Sequence, residues 1–114
     1  MMASRRRRTS VGPVTFHVRE TLSAAPCVLP SDPDERLELL ERKLRTEDPA
    51  RMAEVVRDLA WRQRRGLADG QDLRLLRRAD QQLVRWLAAQ TGEERGWARR
   101  RMWGTVERTI SLFI

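Results

Sequence analysis

Leu37, Leu40 and Leu44 recur at steps of three and four residues, with Leu39 beside them. That spacing predicts a helix over about residues 34–45 with one apolar stripe. A second stripe, Met52, Val55, Val56 and Leu59, follows Asp48-Pro49. Asp48 can cap free N–H groups, and Pro49 suits the first helical position, where a missing N–H is harmless. Gly66 predicts a left-handed stop, with Arg62, Arg64 and Arg65 well placed against the helix dipole. A third helix is expected from near Asp69, whose partner three residues on is Asp72. Leu73, Leu76, Ala79, Leu83, Trp86 and Leu87 form its face and Gly92 its end. Thr91 and Glu94 have the Thr-x-x-Glu spacing of a capping box, which would open a fourth helix. Trp103, Val106 and Ile110 carry that helix, joined by Met102 and Phe113. Gly96 and Gly104 each lower its propensity by up to about 1 kcal/mol.

Ahead of these helices the pattern changes. Residues 1–13 read as a disordered tail. Val14-Thr15-Phe16-His17-Val18 alternates apolar and polar, as a short strand does. A lone strand has no stability of its own, so this one must pair, dock on helices or stay irregular. Ser23, Pro26, Pro30, Ser31 and Pro33 mark a linker. The chain therefore divides into residues 1–32, a basic tail with a short strand and a Pro-containing linker, and residues 33–114, a helical domain. The fold class is all-α: a compact bundle of four to five short helices with a disordered or irregular N-terminal arm.

The length, 114 residues, is room for one domain. No apolar run approaches the roughly 20 residues needed to span a bilayer. The single cysteine, Cys27, excludes an intrachain disulfide framework, and with one histidine, His17, a Cys/His zinc site has two candidate ligands at most. The basic residues are 22 Arg and one Lys, Lys43, and the formal net charge is +7. Residues 1–31 carry +4, residues 32–60 carry −3, and residues 61–114 carry +6. An acidic segment beside a basic one predicts a sided surface able to steer an anionic partner. The run Arg5 to Arg8 is not followed by the apolar stretch of a secretory signal. It can touch phosphate by counterion release, or serve as a solubilising tail. These features point to a cytoplasmic protein, nucleoid-associated if it binds DNA.

Catalytic chemistry is not visible. There is no Gly-rich phosphate loop and no Ser-His-Asp arrangement. Glu35, Glu38 and Glu41 lie a turn apart but alternate with Arg36, Arg42 and Lys43, which reads as a solvated, ion-paired face. His17 reads as a strand or loop residue, and Cys27 has no activating neighbour in sequence. The chain is expected to be no enzyme and to need no cofactor and no metal. Trp86 and Trp103 fall on apolar faces and read as core. Trp61 and Trp97 sit beside Arg62, Arg64, Arg99 and Arg100. Aromatics interleaved with Arg suit stacking on bases, and Arg stems covering half-buried indoles give the same pattern.

One stretch carries a resemblance. Ala53-Glu54-Val55-Val56-Arg57-Asp58-Leu59 follows Lys43-Leu44 and Glu47-Asp48-Pro49. It precedes Arg65-Gly66-Leu67, Leu75-Leu76, Ala79 and Leu83-Val84. In this order the chain resembles the helical C-terminal domain of the CarD/CdnL family of bacterial transcription regulators, over about residues 34–90. The resemblance implies a Tudor-like N-terminal domain that binds the RNA polymerase β subunit. It also implies a helical domain that contacts promoter DNA at the upstream edge of the melted region. Two departures stand out. Val14–Val18 and the residues to Pro30 resemble only the last strand and exit linker of the Tudor-like domain, so the usual polymerase-docking domain is mostly missing. The family's wedge tryptophan aligns with Pro33, and no tryptophan occurs before Trp61.

Resemblance and charge together predict a transcription-associated, DNA-binding protein that contacts phosphates without sequence preference. Arg36, Arg62, Arg64 and Arg65 are the expected contacts, Arg36 and Arg62 falling at positions that are basic in the family. DNA is the expected partner, with RNA polymerase a further one and no membrane. The alternatives are a helical protein-interaction module, suggested by the acidic 32–60 segment and the apolar end Ile110-Ser111-Leu112-Phe113-Ile114, or a truncated paralogue without DNA or polymerase binding.

Overall fold

The computed structural model describes residues 13–113. Five helices follow one another in this span: α1 (Pro13–Ser23), α2 (Pro33–Arg45), α3 (Pro49–Arg64), α4 (Gly70–Thr91) and α5 (Arg95–Leu112). The all-α bundle expected from the sequence is present. The tail expected over residues 1–13 lies, but for Pro13, outside the described residues.

The expected strand at Val14–Val18 is a helix instead. Alternation suggested a period of two, but the pair that the core takes is Val18 and Leu22, four residues apart and 1% and 3% exposed. A step of four is one helical turn. Phe16, which a strand would have placed on the same face as Val18, is left 56% exposed. No second strand lies among the described residues to pair with this segment. Docking on α3 and α5 supplies the burial instead.

Capping fixes the other helix starts. Asp32 accepts the Glu35 amide at 2.9 Å and Asp48 accepts the Ala50 amide at 2.9 Å, each just ahead of a proline. At α4 the box is reciprocal: Asp69 accepts the Asp72 amide at 2.8 Å and Asp72 accepts the Asp69 amide at 3.0 Å. Gly66 (φ +75°) and Gly92 (φ +75°) take the left-handed conformation just beyond α3 and α4, which costs an L side chain roughly 1–2 kcal/mol and glycine almost nothing.

The expected Thr91–Glu94 box does not form. Gly92 ends α4 immediately after Thr91, so Thr91 keeps helical backbone. Its hydroxyl donates back to the Leu87 carbonyl at 3.0 Å, whereas an N-cap needs extended backbone. The N-cap of α5 is Glu94, with no side-chain cap bond.

α3 is the centre of the bundle and packs on each of the other four helices. Ala53, Val55, Val56, Arg57, Asp58, Leu59 and Ala60 are all buried, so burial extends around the helix rather than along one stripe. Leu40 and Leu44 of α2, Leu83 and Val84 of α4, and Val106 and Ile110 of α5 close over it, each at most 2% exposed. Burying each such side chain contributes about 1.5–3 kcal/mol. No helix of the described residues is long and apolar enough to cross a membrane, and no cluster of three or more metal-ligating side chains occurs among them.

Candidate nucleic-acid interface

The end of α3, the turn through Gly66 and the first turn of α4 bring together most of the arginines singled out in the sequence. α3 ends at Arg64, and the Leu67 amide donates to the Arg62 carbonyl at 3.0 Å, closing the last turn. The Asp69–Asp72 capping box then fixes two carboxylates beside this turn.

Arg36 and Arg62 meet on Asp72. Arg36 Nε donates to Asp72 Oδ1 at 2.8 Å and Arg62 Nε donates to Oδ2 at 3.0 Å. Arg36 also donates through Nη1 to the Pro30 and Ser31 carbonyls and through Nη2 to Asp69 Oδ2 at 3.0 Å. Burial pushes the Asp72 carboxyl upward, but the bonds from Arg36, the Asp69 amide and Arg62 outweigh it, and its pKa lies below the ordinary carboxylate value.

This arrangement revises the part expected of Arg36. Its side chain is 3% exposed and all three guanidinium nitrogens donate within the protein. It cannot reach a phosphate outside the fold. It holds the entry of α2 against the start of α4. Arg62 is intermediate, with 17% of its side chain exposed.

Arg64 and Arg65 point elsewhere and are exposed. Arg64 pairs with Glu107 of α5. The Arg65 guanidinium carbon lies 4.8 Å from the centre of the Trp61 ring, a cation–π contact. The Trp61 indole N–H donates to the Phe113 carbonyl at 3.3 Å, which anchors the ring to the end of α5. The same pairing recurs at Arg100 over Trp97, 5.0 Å from the ring centre, where the indole is 58% exposed. Trp103 is part-buried and donates to Asp80 Oδ1 at 2.9 Å, and Trp86 packs at the core's edge.

His17 is exposed on α1 beside Glu20, with Nδ1 at 3.3 Å from Oε1. Cys27 is exposed, and its sulfur accepts from Arg57 Nη2 at 3.6 Å. Glu38 and Arg42 form the expected intrahelical pair, at 3.7 Å.

The sequence reading passed over the outer face of α4. Arg74, Arg78, Gln81 and Arg85 fall at helical spacing on this face and are exposed, with Arg77 at its edge. The carboxylates of α4 are Asp72 and Asp80, and both point away from it: Asp72 is buried and Asp80 binds Trp103 and Arg99 of α5. The signal was present as Arg at positions i, i+4 and i+11 with no acidic residue at the same angle.

Comparison with known proteins gives one match. Residues 17–102 match the family described as CarD, C-terminal domain. No curated protein and no solved structure matches the chain. The matched span takes in all of α2, α3 and α4, most of α1 and the first part of α5, so it extends beyond both ends of the resemblance read from the sequence. The chain belongs to the CarD C-terminal-domain family.

Proposed function

We propose that this CarD-like, transcription-associated protein binds DNA through phosphate contacts without sequence preference. The observation that carries the reading is the pair Arg64 and Arg65, exposed at the end of α3 beside a turn that the Arg36–Asp72–Arg62 cluster makes rigid. Arg62 stands at the edge of that surface, and Arg36 acts from beneath it by fixing Asp72. The outer face of α4, where Arg78 pairs with Glu41 of α2 and Arg74 and Arg85 are exposed, adds further cations for a phosphate backbone to follow. Arg suits the task because its planar fork matches phosphate oxygens.

Fluorescence anisotropy of labelled duplex and fork DNA, at several salt concentrations, tests the reading. Binding should weaken linearly in log–log form as salt rises, the slope giving the number of phosphates engaged. The Arg64→Glu/Arg65→Glu variant should bind about tenfold or more weakly, on the scale of two lost charge-assisted contacts, with unchanged helical circular dichroism. Absence of wild-type binding at low salt overturns the reading. Unchanged affinity in the variant removes these two residues from it.

A second reading, a protein-interaction module, draws on Leu112 (78% exposed) and Phe113 (44% exposed) at the end of α5. Sedimentation at rising concentration tests self-association through that end, and a monomer throughout argues against it.

A further inference from the structure

A groove of about 380 Å³ runs between α1 and α5 and is closed at one end by Leu87 and Thr91 of α4. Its rim carries Arg19 from α1 and Arg100, Arg101 and Arg108 from α5, and no carboxylate lines it. Four cations facing one concavity repel one another, and little in the fold compensates. Arg101 pairs with Glu93. Arg108 donates only to a neutral hydroxyl, Thr105 Oγ1, at 3.3 Å, and Arg100 rests over Trp97. Arg19 has no partner among the described residues.

The wall between these cations is hydroxylic. Thr15, Ser23, Thr91 and Thr105 all line the groove, and Thr91 and Thr105 already donate to the Leu87 and Arg101 carbonyls of their own helices. Thr15 Oγ1 is shut off from bulk solvent and has no hydrogen-bond partner among the described residues, an unusual state for a buried polar atom. The floor, by contrast, has little left to offer an apolar ligand. Val18, Leu22 and Met102 are 1%, 3% and 2% exposed, already covered by one another and by the core.

We infer that this groove binds a compact phosphate-rich anion. Guanidinium forks from two helices and the unpartnered Thr15 hydroxyl match the chemistry of a polyphosphate chain, and the volume falls in the range of small-ligand sites, about 300–1,000 Å³. The anion is either a free polyphosphate, such as that of a nucleotide, or a stretch of nucleic-acid backbone. The inference does not depend on the contact proposed at Arg64 and Arg65, which lie outside this groove.

Gly104 allows a test that leaves the charges in place. It lines the groove, and an added Cβ would meet only Arg108 Nη1, at 3.7 Å. Gly104→Leu therefore fills the space while raising helix propensity, and the unliganded thermal midpoint should not fall. Calorimetric titration with sodium tripolyphosphate, and anisotropy with labelled duplex DNA, are run at matched ionic strength. The wild type should bind at least one of these anions. Arg19→Glu/Arg108→Glu and Gly104→Leu should each weaken that binding about tenfold or more, whereas Arg64→Glu/Arg65→Glu should leave tripolyphosphate binding unchanged. Loss confined to tripolyphosphate identifies a free polyphosphate, and loss confined to duplex identifies the nucleic-acid backbone. The inference is overturned if the wild type binds neither anion, or if both groove variants bind as the wild type does.

Discussion

Arg36 and Asp72 stand 36 residues apart in sequence and 2.8 Å apart in the fold, each almost completely buried. One guanidinium gathers the end of the 24–32 segment, the N-cap of α4 and the first turn of α4 around itself. Asp72 receives three donors in return, from Arg36, Arg62 and its own cap partner Asp69.

Arg36→Ala leaves the buried Asp72 carboxylate and the Pro30 and Ser31 carbonyls short of a donor. We expect a loss of about 3–5 kcal/mol in urea unfolding. Arg36→Lys should restore little of it, because an ammonium cannot reach acceptors spread across a planar fork. A loss below about 0.5 kcal/mol for Arg36→Ala, the level of an inert surface change, would remove the cluster from the stabilising contacts.

Acid should expose the same cluster. Asp72 has its pKa lowered in the folded state despite burial. At Glu54 burial also pushes upward, and the bonds from Lys43 and Arg51 win there too. A depressed folded pKa gives stability that is complete above the unfolded value, about 4. That stability is lost as the pH falls through the folded value. Urea midpoints should stay level on the near-neutral side of that range and drop steeply below it. Asp72→Asn should be less stable at neutral pH and show a shallower acid limb. An acid limb of unchanged slope in Asp72→Asn would assign the effect to other carboxylates.

Gly66→Ala isolates a backbone cost. Gly66 has φ +75° and open space where a Cβ would sit, so no clash adds to the strain. The expected destabilisation is about 1–2 kcal/mol, visible as a drop of several degrees in thermal midpoint. A wild-type midpoint would mean that the turn relaxes into another conformation.

Thr109 ties α5 to α1. Its hydroxyl is buried and lies 2.8 Å from the Leu22 carbonyl across the α1–α5 contact. Thr109→Val keeps the shape and removes the donor, for an expected loss of about 1–3 kcal/mol. Thr109→Ser keeps the donor and should recover part of it. Equal losses in both variants would attribute the effect to packing around the methyl group.

The helices α2, α3 and α4 were legible because their apolar periodicity and their caps agree, down to Asp48-Pro49 and the Asp69–Asp72 box, although the buried face of α4 takes in Leu75 and Val84 and leaves the expected Leu73 exposed. α1 was not. Five alternating residues satisfy a strand and a helix equally, and only the docking of Val18 and Leu22 against α3 and α5 decides between them. Thr91 was misread because Thr-x-x-Glu spacing is blind to the backbone angle that Gly92 imposes. The candidate site was legible in kind and less so in place. The sequence shows where arginines are, but not which of them the fold spends on its own carboxylates, as it does with Arg36. The family signature has the same limit. Ala53–Leu59, the stretch that carries the resemblance, is almost entirely interior, so it reports how the bundle packs and not which surface meets a partner.

The central position of α3 has a consequence for how the protein comes apart. Every other helix covers part of it, and the buried Arg57–Asp58 pair keeps its outside partners, the Thr21 carbonyl and the Cys27 N–H, only while α1 and the segment after it are docked. Detaching a peripheral helix therefore bares both apolar surface and charge on the shared axis. Native-state hydrogen exchange should find few partial openings: amides of α1, although near one end of the described chain, should become labile together with those of α3, as one cooperative unit.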